Sequence, residues 1–165
     1  PESQDICFIP DNDYKGFLEK EKKDIFKPGD FVDEKGRVIG RHQGIAAYTV
    51  GQRRGLNLGG PGGPYYVTAL DVEHNRVIVG SEKDLFSTTV EASEATWVEQ
   101  VPTAPFRALG KIRYAANESP CTVYPDGDDM RVEFDEAQRA VTAGQALVLY
   151  DAETGERVLG GGVIQ

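Results

Sequence analysis

The strongest constraint on this fold is rhythm. From Phe31 onward, short runs rich in Val, Ile, Tyr, Phe and Thr alternate with turns built from Gly, Pro, Asp and Asn. Such punctuation suits strands of a few residues each and leaves no room for long helices. Phe31-Val32-Asp33 and Arg37-Val38-Ile39 flank Glu34-Lys35-Gly36 as one predicted hairpin. Tyr65 to Leu70 and Arg76 to Val79 form a second around His74-Asn75. Thr89 to Ala92 and Thr96-Trp97-Val98 continue extended, and the proline-rich Val101 to Pro105 marks the expected domain boundary. Beyond it, Ala108 to Tyr114, Cys121 to Tyr124, Met130 to Phe134, Ala146 to Tyr150 and Arg157 to Leu159 have the spacing of a small sandwich or barrel. Ahead of all this, Asp11-Asn12-Asp13 offers an N-cap to Tyr14, Phe17 and Leu18, which share one face of a short predicted helix.

Charge is segregated on this frame. The chain carries 27 acidic against 18 basic residues, net -9, which argues against wholesale electrostatic binding to nucleic acid and leaves local patches as candidates. The stretch Lys35 to Leu70 holds Lys35, Arg37, Arg41, Arg53 and Arg54 without one Asp or Glu. A second acid-free island, Gln100 to Asn117, holds Arg107, Lys111 and Arg113. Basic islands interleaved with aromatic and glycine residues suit a polyanion such as RNA; solvated outer faces of β domains are the plain alternative. Strand alternation would put Lys111 and Arg113 on one face, with Tyr114 pointing the other way or at the strand end.

Several chemistries find no support. No apolar run is long enough to span a bilayer. There is no G-x-x-x-x-G-K-[ST] loop, no paired Cys-x-x-Cys and no metal-ligand spacing, and His42 and His74 are the only histidines. His42 is a candidate base contact, although a loop histidine bonded to backbone is the commoner outcome. Two distant cysteines, Cys7 and Cys121, fit a reducing, cytosolic compartment. The opening on Pro1, without Met, is what the interior of a longer protein would show.

Five ordered motifs narrow the reading: Ser3-Gln4-Asp5-Ile6-Cys7-Phe8-Ile9; His42-Gln43-Gly44; Tyr48-Thr49-x-Gly51-Gln52-Arg53-x-Gly55-Leu56; Arg113-Tyr114 followed by Pro120-Cys121-Thr122-Val123; and Leu159-Gly160-Gly161-Gly162-Val163-Ile164. Together they resemble the C-terminal portion of the tRNA-specific 2-thiouridylase family, whose members place sulfur on the wobble uridine of certain tRNAs. The resemblance implies residues 1–24 as the end of a catalytic domain plus a linker helix carrying Cys7, residues 25–98 as a central tRNA-binding β domain, and residues 99–165 as a C-terminal β-barrel. It implies tRNA and a sulfur-donor protein as partners, with no DNA and no membrane. ATP, with Mg, would be bound by an N-terminal domain outside this chain, and none would be bound within it.

Residue by residue, the resemblance makes Cys7 the catalytic persulfide carrier, resolved by a second cysteine that this chain lacks. Arg113, Tyr114 and Gln145 match tRNA-contacting positions, and Lys111, Arg53, Arg54, His42 and Gln43 join them as candidates. Cys121 reads as packing. By itself this stretch is expected neither to hydrolyse ATP nor to thiolate tRNA. The competing reading is a stand-alone RNA-binding, translation-factor-like β module without chemistry.

Overall fold

The structure, a computed structural model, describes residues 26–59 and 63–165. The chain divides into two compact units, Pro1–Ser81 and Glu82–Gln165. Cys7 and the predicted helix near Tyr14 lie outside the described residues.

The first unit is a four-stranded sheet of β1 (Gly29–Val32), β2 (Val38–His42), β3 (Tyr66–Asp71) and β4 (Arg76–Gly80) in the order β2-β1-β4-β3. Both predicted hairpins form. The first closes because Asp33 accepts the Lys35 and Arg37 amides at 3.0 and 2.9 Å while Gly36 adopts a left-handed φ of 76°. In the second, Asp71 accepts the His74 amide and Asn75 is left-handed. The two hairpins join through a parallel β1–β4 pairing. This order puts β2 and β3 on opposite edges, and the described parts of the connection between them, residues 43–59 and 63–65, lie against the sheet. Their apolar residues Ile45, Tyr48, Leu56 and Leu58 pack on Phe31, Val67, Val77 and Val79. The connection is therefore one layer of the core.

The second unit is a closed barrel of β5 (Phe86–Trp97), β6 (Phe106–Lys111), β7 (Ser119–Asp126), β8 (Asp129–Arg139), β9 (Ala146–Asp151) and β10 (Val158–Ile164), ordered β10-β5-β8-β7-β6-β9. Period-two alternation fills it: Met130, Val132 and Phe134 point inward with Cys121, Val123, Leu147 and Leu149. The glycines of β10 let neighbouring strands close in, since a Cβ on Gly161 would overlap the Leu147 carbonyl oxygen and one on Gly162 would lie 2.7 Å from that of Ser93.

Three expectations change. The division falls at Ser81/Glu82 and not near residue 98, because β5 pairs with β8 and β10 inside the barrel. The runs at Thr89 to Ala92 and Thr96 to Trp97 are one strand, continuous through a left-handed Glu94 (φ 53°), with Val98 beyond its end. β6 stops at Lys111, after which Ile112 turns into the core and Arg113 opens a reverse turn closed by the Ala116 amide at 3.1 Å.

Candidate nucleic-acid interface

In the first unit the His42-Gln43-Gly44 motif builds the start of the crossing segment. His42 is 1% exposed. Its Nδ1 accepts the Gly44 amide at 3.1 Å, which fixes the proton on Nε2, and Nε2 donates to the Asn75 carbonyl at 3.1 Å. Its ring meets Phe31 and Tyr48 edge-on, both at 5.7 Å. With both nitrogens used and no exposed edge, His42 is a structural hub; the expected base contact is not available to it. Gly29 is required beneath it, because a Cβ there would overlap the Asn75 carbonyl oxygen and lie 2.6 Å from His42 Nε2. Gln43 is exposed, and its side chain has no partner among the described residues.

The Tyr48-to-Leu56 motif is a braced loop. Gln52 Oε1 accepts the Thr49 amide and Gln52 Nε2 donates to the Arg54 carbonyl, both at 3.0 Å. The backbone bonds from Gly51 to the Val67 carbonyl (2.8 Å) and from Val67 to the Gln52 carbonyl (2.9 Å) tie the loop to β3. Gly51 (φ 90°) and Gly55 (φ 78°) supply the turns on either side. Leu56 is buried, and Arg53 and Arg54 are held exposed between these anchors.

Ion pairing sorts the two basic islands. Arg37 pairs with Asp33 at 2.6 Å and Arg41 with Asp30 at 3.5 Å. Arg107 forks onto Asp135 at 2.8 and 2.6 Å and also donates to Thr122. Lys111 donates to Glu118 at 2.8 Å. The hydrogen bond to Arg107 lowers the Asp135 pKa, and the bond to Lys111 lowers that of Glu118. Half of the islands' eight cations are thus already neutralised. Lys35, Arg53, Arg54 and Arg113 have no carboxylate partner among the described residues.

On the barrel, Lys111 pairs in register with Val148, and β9 begins at Ala146. The turn carrying Arg113 and Tyr114 therefore leaves the barrel at the end where Gln145 stands. Tyr114 is 99% exposed, Arg113 and Gln145 are exposed, and Gln145 is pinned through its backbone to Thr142 and Ile164. Lys111, Arg113, Tyr114 and Gln145 are brought together, although strand alternation is not what aligns them. Cys121 is fully buried, donates weakly to the Ala108 carbonyl, and burial pushes its pKa up to about 11. It is a packing thiol.

Sequence reasoning missed Tyr150, Asn57 and Tyr65. Tyr150 faces outward beside Lys111, as the burial of Leu147 and Leu149 dictates; alternation within Ala146 to Tyr150 could have shown it. Asn57, left-handed at φ 52°, and Tyr65 line a cavity beside Arg53, a juxtaposition no local pattern announces.

Two family models cover the chain in sequence: the tRNA methyl transferase PRC-barrel domain over residues 15–81 and the aminomethyltransferase beta-barrel domain over residues 87–164. Curated relatives bearing the name tRNA-specific 2-thiouridylase match across both units. That from Symbiobacterium thermophilum is 49% identical over 100% of this chain and 42% of its own length. Those from Roseiflexus castenholzii and Carboxydothermus hydrogenoformans are 49% and 46% identical over 99% and 100% of this chain, and 44% and 45% of their own lengths. The chain belongs to the tRNA-specific 2-thiouridylase family. It corresponds to the C-terminal portion of those relatives and spans less than half their length. The 2-thiouridylase motifs thus coincide with the structural devices above: the buried His42 hub, the Gln52 brace, the Arg113 turn and the glycine strand β10.

Proposed function

We propose that this chain is the tRNA-gripping part of a tRNA-uridine 2-sulfurtransferase, holding the substrate through Arg53 and Arg54 on the first unit and Arg113, Tyr114 and Gln145 on the barrel. The observation that carries the reading is the sorting of charge. Arg37, Arg41, Arg107 and Lys111 are paired, while the arginines in the family motifs are exposed and unpaired among the described residues. An unpaired guanidinium is free to neutralise a phosphate and so release counterions condensed on the RNA. Tyr114 offers a bare ring for stacking, and Gln145 an amide for hydrogen bonding.

The chemistry completes the proposal. Cys7 would carry sulfur as a persulfide, a better nucleophile than a thiol near neutral pH, received from a donor protein; its outer sulfur would attack C2 of the adenylated uridine and expel AMP, and a second cysteine in the portion of the relatives beyond this chain would then form a disulfide with Cys7, breaking the persulfide S–S bond and leaving the sulfur on the uridine. ATP would activate that C2 position. The barrel cavities near Trp97, of about 420 and 510 Å³, have no Lys or Arg in their walls to meet a nucleoside triphosphate. We assign ATP, as the family resemblance implies, to the portion of the relatives beyond this chain. The test is nucleoside mass spectrometry of undermodified tRNA incubated with the full-length protein. Arg113→Ala and Tyr114→Ala should raise KM for tRNA. Cys7→Ser should abolish 2-thiouridine while leaving tRNA affinity unchanged. Product formation by Cys7→Ser at the parent rate would refute the sulfur-carrier role.

A further inference from the structure

The cavity beside Arg53 has a volume of about 200 Å³ and is lined by Arg53, Gly55, Leu56, Asn57, Leu58, Pro64 and Tyr65. Its rim and floor differ in chemistry. The rim carries the exposed Arg53 guanidinium and the Asn57 carboxamide, and no carboxylate lines it. Most of the accessible wall is polar, and the cavity is anchored to the core beneath it: Leu56 is buried there, Leu58 sits where a Cβ on Gly40 would overlap it, and Tyr65 packs against the same cluster. The loop is also held in shape without a ligand, by the Gln52 brace and by left-handed Gly55 and Asn57.

Size and chemistry select the occupant. Pockets for whole cofactors or drug-sized ligands run to roughly 300–1,000 Å³, so a complete dinucleotide or nucleotide triphosphate is too large. A free phosphate would meet Arg53 and Asn57 alone. A backbone phosphodiester offers the same anion and adds a ribose that can lie on the smaller apolar part of the wall, at Leu58 and Tyr65. We propose that this cavity is a preformed clamp for one RNA backbone phosphate, with Asn57 and Tyr65 as binding residues alongside Arg53. The inference rests on the tRNA reading above and specifies one contact within it.

The experiment is titration of tRNA into the full-length protein by fluorescence anisotropy between 50 and 200 mM salt, with hydrogen exchange verifying the fold of each variant. Arg53→Ala should weaken binding roughly tenfold at low salt and flatten the log Kd against log salt slope by about one or less. Asn57→Gly, which keeps the left-handed backbone, should weaken binding about threefold with the slope unchanged, because it removes a neutral donor. Arg41→Ala, whose charge already faces Asp30, should stay within about twofold of the parent. If Arg53→Ala behaves like Arg41→Ala while Arg113→Ala still loses affinity, the clamp is wrong and the tRNA reading stands. If neither Arg53→Ala nor Arg113→Ala changes binding, the tRNA-gripping assignment fails with it. A third arm adds inorganic phosphate at millimolar concentration. Shifts of the Gly55 and Asn57 amides in nuclear magnetic resonance spectra, without any loss in the Arg53→Ala tRNA titration, would make this a free-anion site and overturn the proposal.

Discussion

Replacing His42 by Ala should cost the first unit about half of its stability, even though the residue sits within a motif of the family. Two buried hydrogen bonds disappear, from the Gly44 amide to Nδ1 and from Nε2 to the Asn75 carbonyl. Leaving such groups unpaired costs about 1–3 kcal/mol for the better-buried one. The ring's edge contacts with Phe31 and Tyr48 are worth about 0.5–1.5 kcal/mol each, before any cavity term. Together these amount to about 2–6 kcal/mol, set against a total of about 4–12 kcal/mol for a unit of this length. His42→Phe keeps the edge contacts and loses only the polar ones, so it should fall between parent and His42→Ala, at about 1–3 kcal/mol. Native-state hydrogen exchange at Phe31, Val77 and Val79, all fully buried in this unit, reads the effect directly. The reasoning fails if His42→Ala leaves those amides protected to within about 1 kcal/mol of the parent while tRNA affinity drops, because His42 would then act on the ligand and not on the fold.

Cys121 makes stability depend on alkaline pH. Its pKa is raised on folding by burial to about 11, so the stabilisation is present below the unfolded value near 9 and is lost as pH rises through 11. Urea titrations should show a fall of about 2–3 kcal/mol across that window that Cys121→Ala lacks. Gly161→Ala drives a Cβ into the Leu147 carbonyl, backbone that cannot yield cheaply; barrel unfolding monitored by Trp97 fluorescence should shift by at least about 1–3 kcal/mol. Glu94→Gly relieves a left-handed non-glycine residue worth about 1–2 kcal/mol, partly offset by about 0.4–1 kcal/mol of unfolded-chain entropy. Calorimetry should therefore show a small rise in the barrel's Tm, and a clear fall would refute the strain argument.

Both hairpins of the first unit and most barrel strands were legible because turn chemistry and alternation are local properties: Asp33 with Gly36, Asp71 with Asn75, and the inward Met130, Val132 and Phe134. What escaped was set by partners far away in the chain. The proline-rich stretch near Val101 marks a real break, but β5 is claimed by β8 and β10, and no local composition records that claim. Lys111 and Arg107 looked like members of one basic surface until Glu118 and Asp135 were found beside them. A backbone-bonded His42 was the commoner expectation for a loop histidine, but its partner Asn75, 33 residues away, is nothing the loop motif announces. Sequence can nominate the arginines only as residue types; which of them remain unpaired is a tertiary fact.

The segment that crosses from β2 to β3 is at once the roof of the first unit's core and the mount for Arg53 and Arg54. Such a loop cannot be treated as a removable cassette. Shortening it, swapping it for that of another protein, or inserting residues within it would strip Ile45, Tyr48, Leu56 and Leu58 from their seats, and the sheet beneath would lose its cover in the same stroke. The binding proposed for this unit can therefore be altered only point by point, at side chains such as Arg53 and Asn57, with the length and the glycine positions of the span left alone.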